Sequence, residues 1–141
     1  MKIRELKEMI ELDSALDISK LDYHSLDTAK LQVKYFNLYT DEYGKLRALE
    51  LSLDKLKIDK FEYYKGNAPA EVYKEKPFDL TLTTAKANAY TECDPEVEAM
   101  KREIDIQKIK VDLITDMKQA LNWRHVQIKN AIDFIKFKNG I

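Results

Sequence analysis

The chain has 141 residues, with only three glycines and three prolines, and hydrophobic and charged residues make up 45% and 35% of it. So few turn-forming residues argue against sandwiches, barrels and propellers, which need many tight loops, and the apolar content argues against a disordered chain. The net charge of −1 hides an uneven distribution, with +2 over residues 55–65 and +4 over residues 117–141 on an otherwise acidic chain.

The sequence indicates neither export nor membrane insertion. Its longest uncharged runs have six residues, whereas a membrane-spanning helix needs about 20 apolar residues. The amino terminus mixes charged with apolar residues and lacks the apolar segment of a signal peptide. The single cysteine, Cys93, cannot form a disulfide within the chain. We therefore expect one domain, spanning residues 1–141, in the cytoplasm.

Helical periodicity dominates the first half of the chain. Residues 3–12 form a short amphipathic pattern, and residues 20–65 contain no proline. A 3-4 spacing of mostly apolar residues in this second stretch indicates a coiled-coil seam. The seam positions are Tyr39, Glu42, Leu46, Leu49, Leu53, Leu56, Lys60 and Tyr63. Gly44 is the weak point, because Thr40 and Asp41 could start a second helix, but we favour one continuous helix about 70 Å long.

The middle of the chain contains the main loop. Gly66, followed by Pro69, ends the long helix, since glycine suits the position after a helix C-terminus. Residues 80–91 first alternate apolar with polar residues, as a strand does, and then follow a helical pattern. We expect a short helix, because a lone strand would have no partner. Asp94 and Pro95 form a strong helix start, with aspartate as the cap and proline at the first helical position.

The last helix is predicted over residues 95–138 and carries another seam. Its positions are Met100, Ile104, Gln107, Val111, Ile114, Lys118, Leu121, His125, Ile128, Ile132 and Ile135. A hairpin of two helices buries one side of each, and both are apolar over a wider sector, so apolar surface remains for other subunits. We predict an all-α, long antiparallel helical hairpin with short N-terminal and connecting helices, forming a homo-oligomer through its C-terminal helix. The expected interface residues are Val111, Ile114, Leu121, Ile128, Ile132 and Ile135.

The sequence offers no catalytic constellation. It has no glycine-rich phosphate loop, nucleophile elbow or His-Glu-x-x-His pattern. Its two histidines, His24 and His125, lie in opposite halves of the chain, and its carboxylates alternate with lysines at helical spacing. We expect no enzyme activity, no cofactor and no metal site.

The segment from Lys55 to Lys65 interleaves four lysines with three aromatic residues. Positive charge suits phosphates and flat side chains suit unstacked bases, so the segment is typical of a single-strand-binding surface. The alternative, which periodicity alone slightly favours, is that the aromatic residues are core and the lysines solvate the opposite face. The candidate DNA-binding residues are Lys55, Lys57, Lys60, Tyr63, Tyr64 and Lys65.

The second basic island, residues 117–141, either complements the helix dipole or contacts DNA or an acidic partner. Trp123, which lies within it, is expected in a subunit interface.

Short motifs along the chain resemble one known family. They are KFEYYKG at residues 60–66, DPEV at residues 94–97, HVQI at residues 125–128 and IKFKNG at residues 135–140. With the chain length and the order of elements, they resemble the UvsY family of bacteriophage recombination mediators over nearly the whole chain.

The resemblance implies a ring-shaped homo-oligomer, hexameric or heptameric, that is built by the C-terminal helix and hydrolyses no nucleotide. Family members bind single-stranded DNA and help a phage recombinase displace the single-strand-binding protein. The DNA contacts of the family include a Lys-x-Arg pair before the paired tyrosines. When the tyrosines are aligned, the arginine of this pair corresponds to Lys60, but the lysine corresponds to Ile58, which is a departure from the family pattern. Lys57, one residue earlier, could substitute for that lysine, but from a face about 100° round the helix.

We therefore expect a phage-encoded recombination mediator that acts in the cytoplasm of the bacterial host. It would bind single-stranded DNA and promote loading of a phage recombinase onto DNA covered by single-strand-binding protein. Residues 1–94 would contain the DNA-binding segment and residues 95–141 the oligomerisation helix. The alternative is a structural or chaperone-like coiled-coil protein whose basic islands bind partner proteins and not DNA.

Overall fold

The computed structural model describes all of residues 1–141 and contains helices and loops but no strand. In chain order the elements are α1 (Ile3–Ser14), a 3-10 turn (Ile18–Lys20), α2 (Leu21–Lys65), α3 (Ala70–Glu75), α4 (Thr84–Glu92) and α5 (Pro95–Lys138). The prediction of an all-α chain with two long helices, a short N-terminal helix and short connecting helices is confirmed. No helix is both long enough and apolar enough to cross a membrane.

The chain divides into two compact units. Unit 1 comprises residues 1–44 and 108–141, and unit 2 comprises residues 45–107. Unit 1 therefore contains α1, the first half of α2 and most of α5, whereas unit 2 contains the rest of α2, then α3, α4 and the start of α5. The division cuts across both long helices and lies elsewhere than the boundary between residues 94 and 95 drawn on the sequence.

α2 is one continuous helix, so the alternative of a second helix starting at Thr40 is wrong. It ends as predicted at Gly66, which has a φ of 84°, a conformation that glycine adopts without strain. The Gly66 N–H donates to the carbonyl of Tyr63 and the Asn67 N–H to that of Glu62. These two bonds satisfy carbonyls that would otherwise have no partner at the helix end.

The connection between the long helices is more ordered than predicted. The stretch after Gly66, expected to be a loop, includes the two-turn helix α3. The helix expected over residues 80–91 is present but begins at Thr84, where the Thr83 hydroxyl accepts a hydrogen bond from the Lys86 N–H. The Asp94 carboxylate caps α5 as predicted, because its Oδ1 accepts the N–H groups of Glu96 at 2.9 Å and Val97 at 3.3 Å.

The core of unit 1 lies where α1, α2 and α5 meet. Leu6, Tyr35, Ile114, Met117 and Leu121 are almost fully buried there. Within this unit α2 and α5 run antiparallel, since Gln32 contacts Asn122 while Glu42 pairs with Lys110 further along. The Tyr35 hydroxyl donates to the Asp13 carboxylate at 2.8 Å, which fixes the end of α1 on α2.

Two positions of the predicted α5 seam, His125 and Ile132, are exposed. His125 is exposed, whereas Arg124, assigned to the basic island, is 4% exposed. The Arg124 guanidinium donates from Nη1 to the Asp13 carbonyl at 2.8 Å, and its Nη2 lies 3.2 Å from His24 Nδ1. Arg124 is therefore a structural residue that ties α5 to the end of α1 and to α2.

In unit 2 the core is smaller and partly polar. Leu46, Ala87, Val97 and Ile104 are buried, together with the polar residues Thr91, Asp94 and Gln107. The six α2 seam positions in this unit, from Leu46 to Tyr63, are buried or half-buried, as are Tyr39 and Glu42 in unit 1, whereas Ile58, outside the seam, is exposed. The segment with the candidate DNA-binding residues lies along this part of α2.

Candidate nucleic-acid interface

Lys60 is held inside an ion-pair cluster at the end of α2. Its Nζ lies 3.5 Å from Asp94 Oδ2 and 3.3 Å from Glu96 Oε1, and its side chain is 16% exposed. Glu96 also pairs with Lys76 at 3.4 Å. Because both carboxylates belong to the first turn of α5 and its cap, Lys60 fastens the start of α5 to the end of α2.

Asp94 is the centre of this cluster. It caps α5 through Oδ1, while Oδ2 accepts a hydrogen bond from the Tyr64 hydroxyl at 2.7 Å. Burial acts to raise the pKa of Asp94, but the Tyr64 hydroxyl, the Glu96 N–H and the charge of Lys60 outweigh it and lower the pKa below 3.8. Burial, reinforced by Asp94, raises the pKa of Tyr64 above its ordinary value of 10.0. The pair is therefore a carboxylate bound by a neutral phenol at neutral pH.

The two tyrosines of the segment belong to an aromatic cluster. Tyr63 stacks on Tyr73 with ring centroids 5.4 Å apart, and Tyr64 contacts Phe78 edge-on at 5.2 Å. Tyr90 of α4 packs on Tyr64 at 5.5 Å. The Tyr63 hydroxyl donates to the Lys76 carbonyl at 2.9 Å, and the Tyr73 hydroxyl donates to the Tyr63 carbonyl at 2.7 Å. These contacts hold the connection between α2 and α4 in place.

The other three lysines of the segment differ in how they are engaged. Lys65 donates to the Leu82 carbonyl at 3.3 Å. Lys57 pairs with Glu92 of α4 at 3.2 Å, and its side chain is 34% exposed. Glu92 is also paired with Lys101, and these two lysines lower its pKa against the opposing effect of burial. Lys55 is exposed and makes no ion pair or hydrogen bond.

Two clefts border this part of α2, and the lining of each contains more carboxylates than lysines. The larger, about 580 Å³, is lined by Asp59, Glu62, Glu75 and Glu96 and by only two lysines, so its acidic lining disfavours a polyanion. The smaller, about 350 Å³, lies between α2 and α4. Its lining residues are Lys57, Ile58, Phe61, Glu62, Asn88, Thr91 and Glu92. No three histidine, cysteine, aspartate or glutamate side chains group as metal ligands anywhere in the chain.

The six predicted interface residues of α5 fall into two groups. Val111, Ile114, Leu121 and Ile128 are at most 8% exposed, because they pack inside unit 1. Ile132, 38% exposed, and Ile135, half-buried, keep accessible surface. Most of the predicted seam is therefore already covered within one chain.

A second stripe on α5, which we name the outer stripe, has apolar surface without a partner. It follows a 3-4 spacing through Ile109, Leu113, Asp116, Ala120, Trp123, Gln127, Asn130, Phe134 and Phe137. Its three aromatic side chains are 66%, 64% and 81% exposed in chain order. The sequence predicted Trp123 in a subunit interface but did not group it with Phe134 and Phe137, although continuing the 3-4 spacing from Leu113 would have done so.

The chain is similar to one known protein family over nearly its whole length. The family described as "Recombination, repair and ssDNA binding protein UvsY" matches residues 9–141. No curated protein sequence matches the chain significantly. Crystal structures of the bacteriophage T4 recombination mediator protein UvsY share the fold. For lattice type II the TM-score is 0.84 at 18% identity, covering 99% of this chain and 98% of that one.

Two further crystal forms of the T4 protein agree. Lattice type IV has a TM-score of 0.82 at 19% identity over 98% of this chain and 99% of that one, and lattice type I has 0.82 at 18% identity over 95% and 98%. The structural similarity and the family match both extend over nearly the whole chain. This chain belongs to the UvsY family of recombination, repair and single-stranded-DNA-binding proteins.

Proposed function

We propose that this protein binds single-stranded DNA and promotes loading of a phage recombinase onto DNA covered by single-strand-binding protein. The observation that carries the proposal is the family match over residues 9–141, which includes the whole basic segment of α2. The similar T4 protein is itself described as a recombination mediator. The mechanism is assembly on DNA and involves no covalent chemistry.

Within the segment, Lys55 and Lys57 are the lysines best suited to bind phosphates. Lys55 is exposed and unpaired. Lys57 can turn from Glu92 towards a phosphate, because Lys101 also pairs with Glu92 and keeps that carboxylate neutralised. Lys60, Lys65, Tyr63 and Tyr64 support the site indirectly by fixing the end of α2 and the connection that follows it.

The outer stripe of α5 supports assembly into a homo-oligomer, and the number of six or seven subunits comes from the family resemblance alone. Its 3-4 spacing is that of a coiled-coil seam, and its aromatic residues are exposed in the single chain. If two copies of α5 align in parallel, Asp133 of one lies opposite Lys138 of the other, five residues later, whereas antiparallel alignment brings like charges together. Repeating a weak DNA site around a ring converts it into a strong one through multivalency.

The recombinase and the single-strand-binding protein are the partners we propose for the assembled ring. A strand held along several copies of the basic segment is presented in an extended form, and the recombinase would load onto it while the single-strand-binding protein is displaced. Mediator function is checked by adding this protein to the recombinase on covered DNA and measuring the rate of strand exchange.

DNA binding is tested first by fluorescence anisotropy of a labelled oligonucleotide at two salt concentrations, with duplex DNA as control. We expect salt-sensitive binding that prefers the single strand. The variant Lys55→Ala/Lys57→Ala should bind more weakly, and its salt slope should fall by roughly 0.7 for each lost phosphate contact. A matched control, Lys74→Ala/Lys108→Ala, removes two exposed lysines outside the segment and should bind almost as well as the unaltered protein.

The outcomes separate the two candidate functions. If the protein binds no single-stranded DNA at low salt, the mediator proposal fails, and a coiled-coil scaffold whose basic islands bind proteins is favoured. If DNA binds but the Lys55→Ala/Lys57→Ala variant matches its control, the assignment of these two lysines fails.

A further inference from the structure

We propose that the groove between α2 and α4 receives an unstacked base of the bound strand, with Phe61 as the stacking surface and Asn88 as the group that binds the base edge. The inference rests on the proposed single-stranded DNA binding and adds to it a site for a nucleobase. Tyr63 and Tyr64, the two tyrosines among the candidate DNA-binding residues, would then have no direct contact with the bases.

The groove has the size and the lining that a base requires. Its volume of about 350 Å³ lies within the range of small-ligand clefts. Ile58, which is 64% exposed, and the half-buried Phe61 supply its apolar surface from α2. From α4, Thr91 donates its hydroxyl to the Ala87 carbonyl, whereas the exposed Asn88 side chain makes no hydrogen bond in the chain. Asn88 is therefore the polar side chain of α4 that is available to a base edge.

Phe61 differs from the nearby tyrosines in having no aromatic neighbour. Tyr63 and Tyr64 are packed against Tyr73, Phe78 and Tyr90 at centroid distances between 5.2 and 5.6 Å. A base could stack on either ring only after this cluster was dismantled. Phe61 takes part in no ring contact and lines the groove, so stacking there displaces no side chain.

The charges around the groove allow a phosphate backbone to pass beside it. Lys57 lines the groove, and Lys55 lies one helical turn before Ile58 on the same helix. Glu92, the carboxylate in the groove, is paired with both Lys57 and Lys101. Glu62 is the second carboxylate of the lining and can accept hydrogen bonds from N–H groups of a base. The arrangement combines a flat apolar surface, base-edge partners and flanking positive charge, as single-strand-binding sites do.

The test compares two labelled oligonucleotides of equal length and charge, one of thymidines and one of abasic residues, by fluorescence anisotropy with the full-length protein. We expect the unaltered protein to bind the thymidine strand about tenfold more tightly, which lies within the range of about five- to a hundredfold that stacking of one base contributes. Phe61→Leu, which keeps an apolar side chain in the groove, should bring this ratio close to one while leaving abasic binding and the salt slope unchanged. Phe61→Tyr should restore the ratio, and circular dichroism should show that both variants are folded.

The controls distinguish the inference from the function on which it rests. Lys55→Ala should weaken binding of both oligonucleotides equally, because it removes a phosphate contact. If the unaltered protein binds both strands with the same affinity, or if Phe61→Leu keeps the full ratio, the base site is wrong although DNA binding stands. If neither strand binds, the proposed function itself fails.

Discussion

At the scale of single residues, Asp94 links the helix start of α5 to the end of α2. Its carboxylate caps α5, accepts the Tyr64 hydroxyl and pairs with Lys60, and the net effect lowers its pKa below 3.8. A group whose native pKa is depressed adds stability above its unfolded pKa and loses that contribution as the pH falls through the native value. The contribution of Asp94 is therefore complete at neutral pH and disappears in acid below about pH 4.

The variant Asp94→Asn tests this role, because asparagine still caps a helix but carries no charge. We expect the free energy of unfolding to fall by about 2 kcal/mol at pH 7, the typical contribution of hydrogen bonds to a charged group. Urea unfolding between pH 3 and pH 7 should show that the variant loses less stability in acid than the unaltered protein. Asp79→Asn, an exposed carboxylate outside the cluster, is the control. An unchanged acid dependence in Asp94→Asn would contradict the assignment.

The sequence predicted part of this cluster and could not predict the rest. The 3-4 spacing placed Lys60 and Tyr63 on the inward face of α2, and the Asp-Pro pair predicted the cap of α5. That the same carboxylate also binds Tyr64, 30 residues away, depends on where the connection brings α5 back against α2. Helical periodicity defines the face of a side chain, but it does not identify the partner on another element. The sequence therefore predicted that Lys60 binds phosphate, although its ammonium group pairs with Asp94 and Glu96 within the chain.

At the scale of helices, the glycine inside α2 and the glycine directly after it provide matched tests. Gly44 lies inside the helix, and a methyl group at its Cα would meet no atom within 4 Å. Gly44→Ala should therefore raise the free energy of unfolding by about 1 kcal/mol, because alanine loses less entropy in a helix. Gly66 has a φ of 84° at the helix end, and Gly66→Ala should lower stability by about 1 kcal/mol. Thermal and urea unfolding measure both, and a destabilised Gly44→Ala would show that α2 needs a bend there.

The α5 seam illustrates a second limit of sequence reasoning. Ile114, Leu121 and Ile128 are seven residues apart and define the buried face, as predicted. Between two of these residues the buried face can include either of two adjacent positions, and apolar spacing alone does not determine which of the two is buried. Arg124 is buried here and its neighbour His125 is exposed, because the Arg124 guanidinium donates a hydrogen bond to the Asp13 carbonyl in the last turn of α1. Tertiary hydrogen bonding determines this choice.

At the scale of the whole molecule, the outer stripe of α5 leaves three large aromatic side chains exposed, Trp123, Phe134 and Phe137. A buried residue and a residue of the outer stripe should respond differently to substitution. Leu121→Ala removes side-chain packing from the core of unit 1, so we expect it to cost about 2–5 kcal/mol of folding stability. The stripe residues Trp123 and Phe134 are exposed and do not belong to this core, so the subunit should remain folded when they are substituted.

The variant Trp123→Gln/Phe134→Gln therefore tests assembly separately from folding. Multi-angle light scattering should show an oligomer for the unaltered protein and a smaller species for the variant, with helical circular dichroism retained. Lys129→Gln, exposed on the same helix but outside the stripe, is the control and should keep the oligomer. Because a ring offers several DNA sites, the variant should lose more affinity for a long single strand than for one that covers a single site. An oligomer of unchanged mass would exclude the outer stripe as the subunit interface and return that role to Ile132 and Ile135.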